Sequence, residues 1–144
     1  MNGFAVTRTF DAPRERVWRE WTEPEAFADW FGGPGGRVPL ETMAMDVRPG
    51  GSWRLTMHHG DRETQWTGDY HEVEPHARLV FTITDQAGDG PRDVCTLELT
   101  DLGDGRTAMR FEQRGGMTPE QYEAAKRGWG GFFDRIAERL VAPT

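Results

Sequence analysis

Apolar and polar residues alternate with a period of two along most of the chain, then change to a helical period at its end. Over residues 118–141, Tyr122, Ala125, Trp129, Phe132, Phe133, Ile136 and Leu140 fall within a stripe roughly 100° wide, opposite Glu123, Arg127, Asp134, Arg135 and Glu138. Thr118 is a good N-cap, Pro119 suits the first helical position, and Gln121 completes a capping box. The spacing predicts one amphipathic helix about 36 Å long. Its apolar face is half aromatic and must be buried against something broad.

The preceding chain supplies that surface. In residues 3–10, Phe4, Val6, Arg8 and Phe10 alternate with Ala5, Thr7 and Thr9 as in a strand. Asp11-Ala12-Pro13 then starts a short helix with Val17, Trp18 and Trp21 on its apolar side. Thr22-Glu23-Pro24-Glu25 reads as a second capping box, opening a short helix that carries Phe27, Trp30 and Phe31, with Trp21 stapled onto Ala26. Residues 32–36 are a glycine-rich loop. Residues 38–47 predict a strand with Met43, Met45 and Val47 on one side, and Arg48-Pro49-Gly50-Gly51 a hairpin turn. Further strands are expected at Trp53, Leu55 and Met57, then at residues 63–73, 78–84, 93–100 and 107–113, with a polar loop over 86–91.

Consecutive hairpins make an antiparallel meander. The alternation leaves one face wet, so the terminal helix must cover the other. The expected class is α+β, a curled sheet around one long helix. No repeat or linker divides residues 1–144, and one domain is expected for 144 residues.

Charge narrows the partners. The net charge is −7, from 17 basic and 24 acidic side chains, with no basic stripe; this disfavours nucleic acid and an anionic membrane surface. No apolar run approaches the roughly 20 residues of a membrane span. None follows Met1, so no secretory signal is expected. The lone Cys95 cannot form an internal disulfide, and a cytoplasmic location is the simple expectation.

The candidate chemistry is apolar. Trp53, Met57, Trp66, Tyr70, Phe81, Met109, Phe111, Trp129 and Phe133 suit the walls of a ligand cavity; the plainer reading of any one of them is core. Gly128, Gly130 and Gly131 each cost a helix interior about 1 kcal/mol relative to alanine. Either they leave room for a ligand beside Trp129, so that Gly130→Leu or Gly131→Leu would weaken binding, or they allow close packing or a kink. His58 and His59 point to opposite faces of a strand, and His71 and His76 add no ligand spacing, so neither metal nor cofactor is expected. Ser52 lacks a nucleophile frame and Cys95 reads as a core thiol. Asp46 and Asp69 at a cavity mouth, or Arg48 and Arg110 facing inward, would be polar contacts; solvated surface positions are the ordinary alternative for all four.

Several runs of residues resemble one family. Phe10-Asp11-Ala12-Pro13, Val17-Trp18, Trp21-Thr22-Glu23-Pro24-Glu25 and Trp30-Phe31-Gly32 look like the opening of the family named for the activator of the heat-shock protein 90 ATPase. Arg48-Pro49-Gly50-Gly51-Ser52-Trp53, Gly68-Asp69-Tyr70, Glu72-Val73-Glu74-Pro75, Arg78-Leu79-Val80-Phe81-Thr82 and Gly128-Trp129 are similar to its middle and end. The resemblance implies the SRPBCC superfamily, similar to START domains and the Bet v 1 allergen. It implies a helix-grip fold: a curved antiparallel sheet of about seven strands around a long C-terminal helix, two short helices after the first strand, and a cavity between.

Binding of a hydrophobic or amphipathic small molecule in that cavity is the leading expectation. A chaperone-activator-like interaction domain of the stress response is the first rival, and should expose an apolar patch. A cyclase or hydrolase is the second, and should gather titratable groups inside the cavity. A homodimer through the sheet edge or short helices, and a chaperone partner, belong to the same set of expectations.

Overall fold

A computed structural model describes residues 2–85 and 92–141 of the chain. The elements run β1 (Asn2–Phe10), α1 (Arg14–Thr22), α2 (Pro24–Trp30), β2 (Gly36–Arg37), a single 3-10 turn (Leu40–Thr42), β3 (Ala44–Met45), β4 (Ser52–His59), β5 (Arg62–Glu74), β6 (Arg78–Ile83), β7 (Asp93–Gly103), β8 (Arg106–Gly115) and α3 (Pro119–Val141). The strands form one antiparallel sheet in the order β1-β8-β7-β6-β5-β4-β2, with β3 also on β4. From β4 to β8 each strand pairs with its successor, and β1 returns to pair with β8 from Asn2↔Gly115 to Phe10↔Thr107.

Strand β5 carries an irregularity of the kind that bends a strand and increases its twist. Its pairing with β6 shifts register between Tyr70 and Glu72. Just before the shift, the Trp53 indole donates to the Thr82 carbonyl at 3.0 Å. A Cβ on Gly68 would collide with that carbonyl and with the indole nitrogen, so the crossing requires glycine here.

Helix α3 lies in the hollow of this sheet. Its N-terminus forms the expected box: the Thr118 amide donates to Gln121 Oε1 at 2.9 Å, and the Gln121 amide to Thr118 Oγ1 at 3.2 Å. Trp129, Phe133, Ile136 and Leu140 are buried. The short helices enter the same hollow. Trp21 lies near-parallel to Phe111 at 5.6 Å and to Trp129 at 6.0 Å, two rings that are themselves 4.4 Å apart, and meets Trp30 edge-on at 4.9 Å. Ion pairs tie the helices together from outside: Arg139 binds Glu20 and Asp29, each at 2.6 Å, and Arg135 binds Asp29 at 2.9 Å. On β1, Arg8 reaches α3, donating to Asp134 at 2.8 Å and to the Gly130 carbonyl at 3.3 Å.

Two local expectations are corrected. Thr22 does not cap α2. It is the last residue of α1, where its hydroxyl donates back to the Trp18 carbonyl, and Glu23 takes the cap position without a side-chain bond. Residues 38–47 are not one strand: Pro39 leads into the 3-10 turn, and within this stretch β3 alone pairs with β4. The polar loop expected over 86–91 lies outside the described residues.

Candidate functional site

The sheet curls further than the helices fill it. At the end of the hollow near the start of α3 a cavity of about 650 Å³ remains, within the range of roughly 300–1,000 Å³ that small-molecule sites occupy. Phe31 after α2, Met57 on β4, Trp66 on β5, Ile83 on β6, and Trp129 and Phe132 on α3 form its apolar wall. Thr84, Asp85, Asp93, Gln113 and Gln121 form a polar end. Gly116, Met117, Ala124, Ala125 and Gly128 complete the lining.

The helix leaves room here because three of its lining residues, Ala124, Ala125 and Gly128, are small. A Cβ added at Gly128 would meet nothing within 4 Å. Gly130 and Gly131 do not line the cavity, so the expectation that leucine at either would weaken binding is withdrawn. Gly130 instead faces Arg8, and α3 runs unbroken through all three glycines.

The nine residues read from sequence divide into two groups. Met57, Trp66 and Trp129 line the cavity. Trp53, Tyr70 and Phe81 surround a separate void of about 10 Å³ beneath Trp21, room for at most about one water. Met109, Phe111 and Phe133 are wholly buried. Those six are core because Trp21 and Trp30, inserted by α1 and α2, occupy the middle of the hollow.

Two rows of side chains on the sheet carried an unread signal. On β7, Cys95, Leu97 and Leu99 face inward, and the same parity begins at Asp93; on β8, Thr107, Met109 and Phe111 face inward, and the row ends at Gln113. A polar residue at the end of an apolar inward row marks where a core gives way to a polar chamber.

These two residues anchor a network across three elements. Gln113 Nε2 donates to Asp93 Oδ2 at 2.8 Å, and the Tyr122 hydroxyl donates to the same oxygen at 2.9 Å. Trp129 Nε1 donates to Gln113 Oε1 at 2.8 Å. The Met117 amide donates to the Tyr122 oxygen at 3.3 Å. Gly115 is glycine because a Cβ would collide with Asp93 Oδ1. Burial first, and the Asp93 carboxylate with it, push the Tyr122 pKa above its ordinary value. Burial pushes the Cys95 thiol well up, and the Asp93 charge adds to it, which keeps the thiol protonated and inert. Trp66 Nε1 is buried with no hydrogen-bond partner among the described residues.

The other polar candidates lie elsewhere. Asp46 pairs with Arg48 at 2.8 Å and Asp69 with Arg92 at 2.9 Å, and neither acid lines the cavity. Arg48 and Arg110 are surface residues. Among the described residues the large apolar side chains that are exposed are Leu40, Leu102 and Val141, on three separate elements. No helix among them is long and apolar enough to cross a membrane.

A bent antiparallel sheet gripping one long helix, with two short helices after the first strand and a chamber left between, defines the helix-grip class of the SRPBCC and Bet v 1-like proteins. The sequence model of the family described as activator of Hsp90 ATPase homolog 1-like protein matches residues 11–141, and the chain belongs to that family. Among solved structures it is similar to a protein from Chromobacterium violaceum, at 25% identity and a TM-score of 0.87 over 99% of each chain. It is also similar to a protein from Mesorhizobium loti, at 25% identity and a TM-score of 0.76 over 95% of each. The AHSA1 protein from Silicibacter pomeroyi shares the fold at 19% identity, with a TM-score of 0.84 over 96% of this chain and 97% of that one. No curated protein matches the chain.

Proposed function

We propose that the protein binds a hydrophobic or amphipathic small molecule in the chamber beside Trp129. The observation that carries this reading is the cavity itself: about 650 Å³ remain in a core otherwise filled by aromatic rings. Its wall of Phe31, Met57, Trp66, Trp129 and Phe132 supports affinity for an apolar body. Its polar end supports orientation. The exposed apolar residues are scattered and give a chaperone-type docking patch no support.

Gly128→Leu tests the proposal. The side chain would project into the chamber from a position with free space, while removal of a mid-helix glycine favours the helix by about 1 kcal/mol. Titration with Nile red, a neutral apolar dye, should show saturable uptake by the natural protein. Gly128→Leu should lose uptake while its melting temperature holds or rises. Gly131→Ala, outside the lining, should bind as the natural protein does. No uptake by the natural protein, or equal uptake by Gly128→Leu, overturns the reading.

A further inference from the structure

We infer that the ligand of this chamber is a cation: an amphipathic amine or quaternary ammonium compound whose apolar body lies against Trp129 and whose head lies at the Asp85–Asp93 end. The inference rests on the proposal that the chamber binds a small molecule, and adds the sign of its charge.

The ionisable side chains that line the chamber are Asp85 and Asp93; no lysine, arginine or histidine of the described residues joins them. The chain has 17 basic residues, so bases are not scarce overall. The base next in sequence, Arg92, is engaged with Asp69 at 2.9 Å. Residues 86–91 contain one acid, Asp89, and no base.

The two acids differ in how they are held. Asp93 is fixed by the Gln113 amide and the Tyr122 hydroxyl, both on Oδ2, so the carboxylate is oriented before any ligand arrives. Asp85 is exposed, has no ion pair with a described residue, and also borders an adjoining open groove with Glu63. Negative charge therefore runs from the outside of the chamber to its inner end. A carboxylate or sulfate head would meet these acids with no base to offset them, and would lose its hydration besides. An ammonium head gains both carboxylates.

Three dodecyl compounds that differ only in the head test this, the two ionic ones used below their micelle thresholds and the alcohol below its solubility limit: dodecyltrimethylammonium, dodecanol and dodecanoate, measured by displacement of Nile red and by calorimetry. The cation should bind about tenfold tighter than dodecanol, the scale two partly exposed ion pairs supply, and dodecanoate should bind weakest. Added salt should weaken the cation alone. Asp85→Asn should weaken the cation about threefold more than it weakens dodecanol, the scale of one such pair. Dodecanoate binding as tightly as the cation, or an unchanged cation-to-alcohol ratio in Asp85→Asn, overturns the inference while dodecanol and Nile red uptake leave the chamber itself standing. Failure of all three compounds and of Nile red overturns both. Sedimentation of the protein with phosphatidylcholine vesicles would support the same head chemistry with a bilayer as its source. Binding of the single-chain cation by protein that stays in the supernatant supports a dissolved source.

Discussion

The indole nitrogen of Trp129 donates to the side-chain oxygen of Gln113 at 2.8 Å, joining the middle of α3 to the end of β8 at the cavity wall. The amide thus turns its other end, the NH₂, toward Asp93. Gln113→Leu would leave a buried indole donor unpaired and remove one of the two donors to the carboxylate. The expected loss of stability is about 1–3 kcal/mol, measured by urea unfolding.

Gly115 faces Asp93 and the Tyr122 hydroxyl more closely than any Cβ allows. Gly115→Ala should force the carboxylate off its two donors and cost about 1–3 kcal/mol, the usual penalty of overpacking. Serine at Gly116, where a Cβ meets nothing within 4 Å, should be nearly neutral. Equal melting temperatures for the two variants would contradict the close contact.

Arg139 is the only base bonded to the buried Glu20 among the described residues, and it also holds Asp29. Arg139→Met would strand the Glu20 charge and loosen α3 from α1 and α2. Breaking such a pair costs up to about 3 kcal/mol where one partner keeps some contact with water. The double variant Glu20→Gln, Arg139→Met should recover part of that loss in a thermal melt.

Alkaline pH should destabilise the protein through its tyrosines. Burial, with a smaller push from the Asp46 charge, raises the Tyr70 phenol above its ordinary value of 10.0, and Tyr122 is raised as well. A folded value above the unfolded one means stability is complete below the unfolded value. It is lost as pH climbs from there toward the folded value. The Cys95 thiol, raised by burial, acts in the same direction from a lower starting point, so urea midpoints should begin to fall above about pH 8.5 and fall more steeply above about pH 10, and Tyr70→Phe should shallow the steeper part.

Much of the fold was legible because its signals are local. The Thr118–Gln121 box and the stripe from Tyr122 to Leu140 needed nothing outside the helix itself. The strand rows from Trp53 to Phe111 were equally plain. Thr22 misled because the same hydroxyl that can cap a following helix can bond back to the preceding turn, and here α1 holds it. The site was harder. Trp66 and Tyr70 share one face of β5, yet Trp66 lines the cavity and Tyr70 lies in core, because Trp21 packs over Tyr70 and does not reach the cavity that Trp66 lines. Curvature and coverage are long-range properties, and alternation carries neither. Asp93 and Gln113 stood at the ends of inward rows, but their role depended on α3 stopping short of filling that end.

The missing side chain at residue 128 has a consequence for how such a protein diversifies. No described residue of another element lies within 4 Å of that spot, so successively bulkier residues there would trim the chamber step by step without disturbing the strands or the aromatic cluster below. One codon would then set the volume of the chamber, leaving the architecture around it free to stay the same.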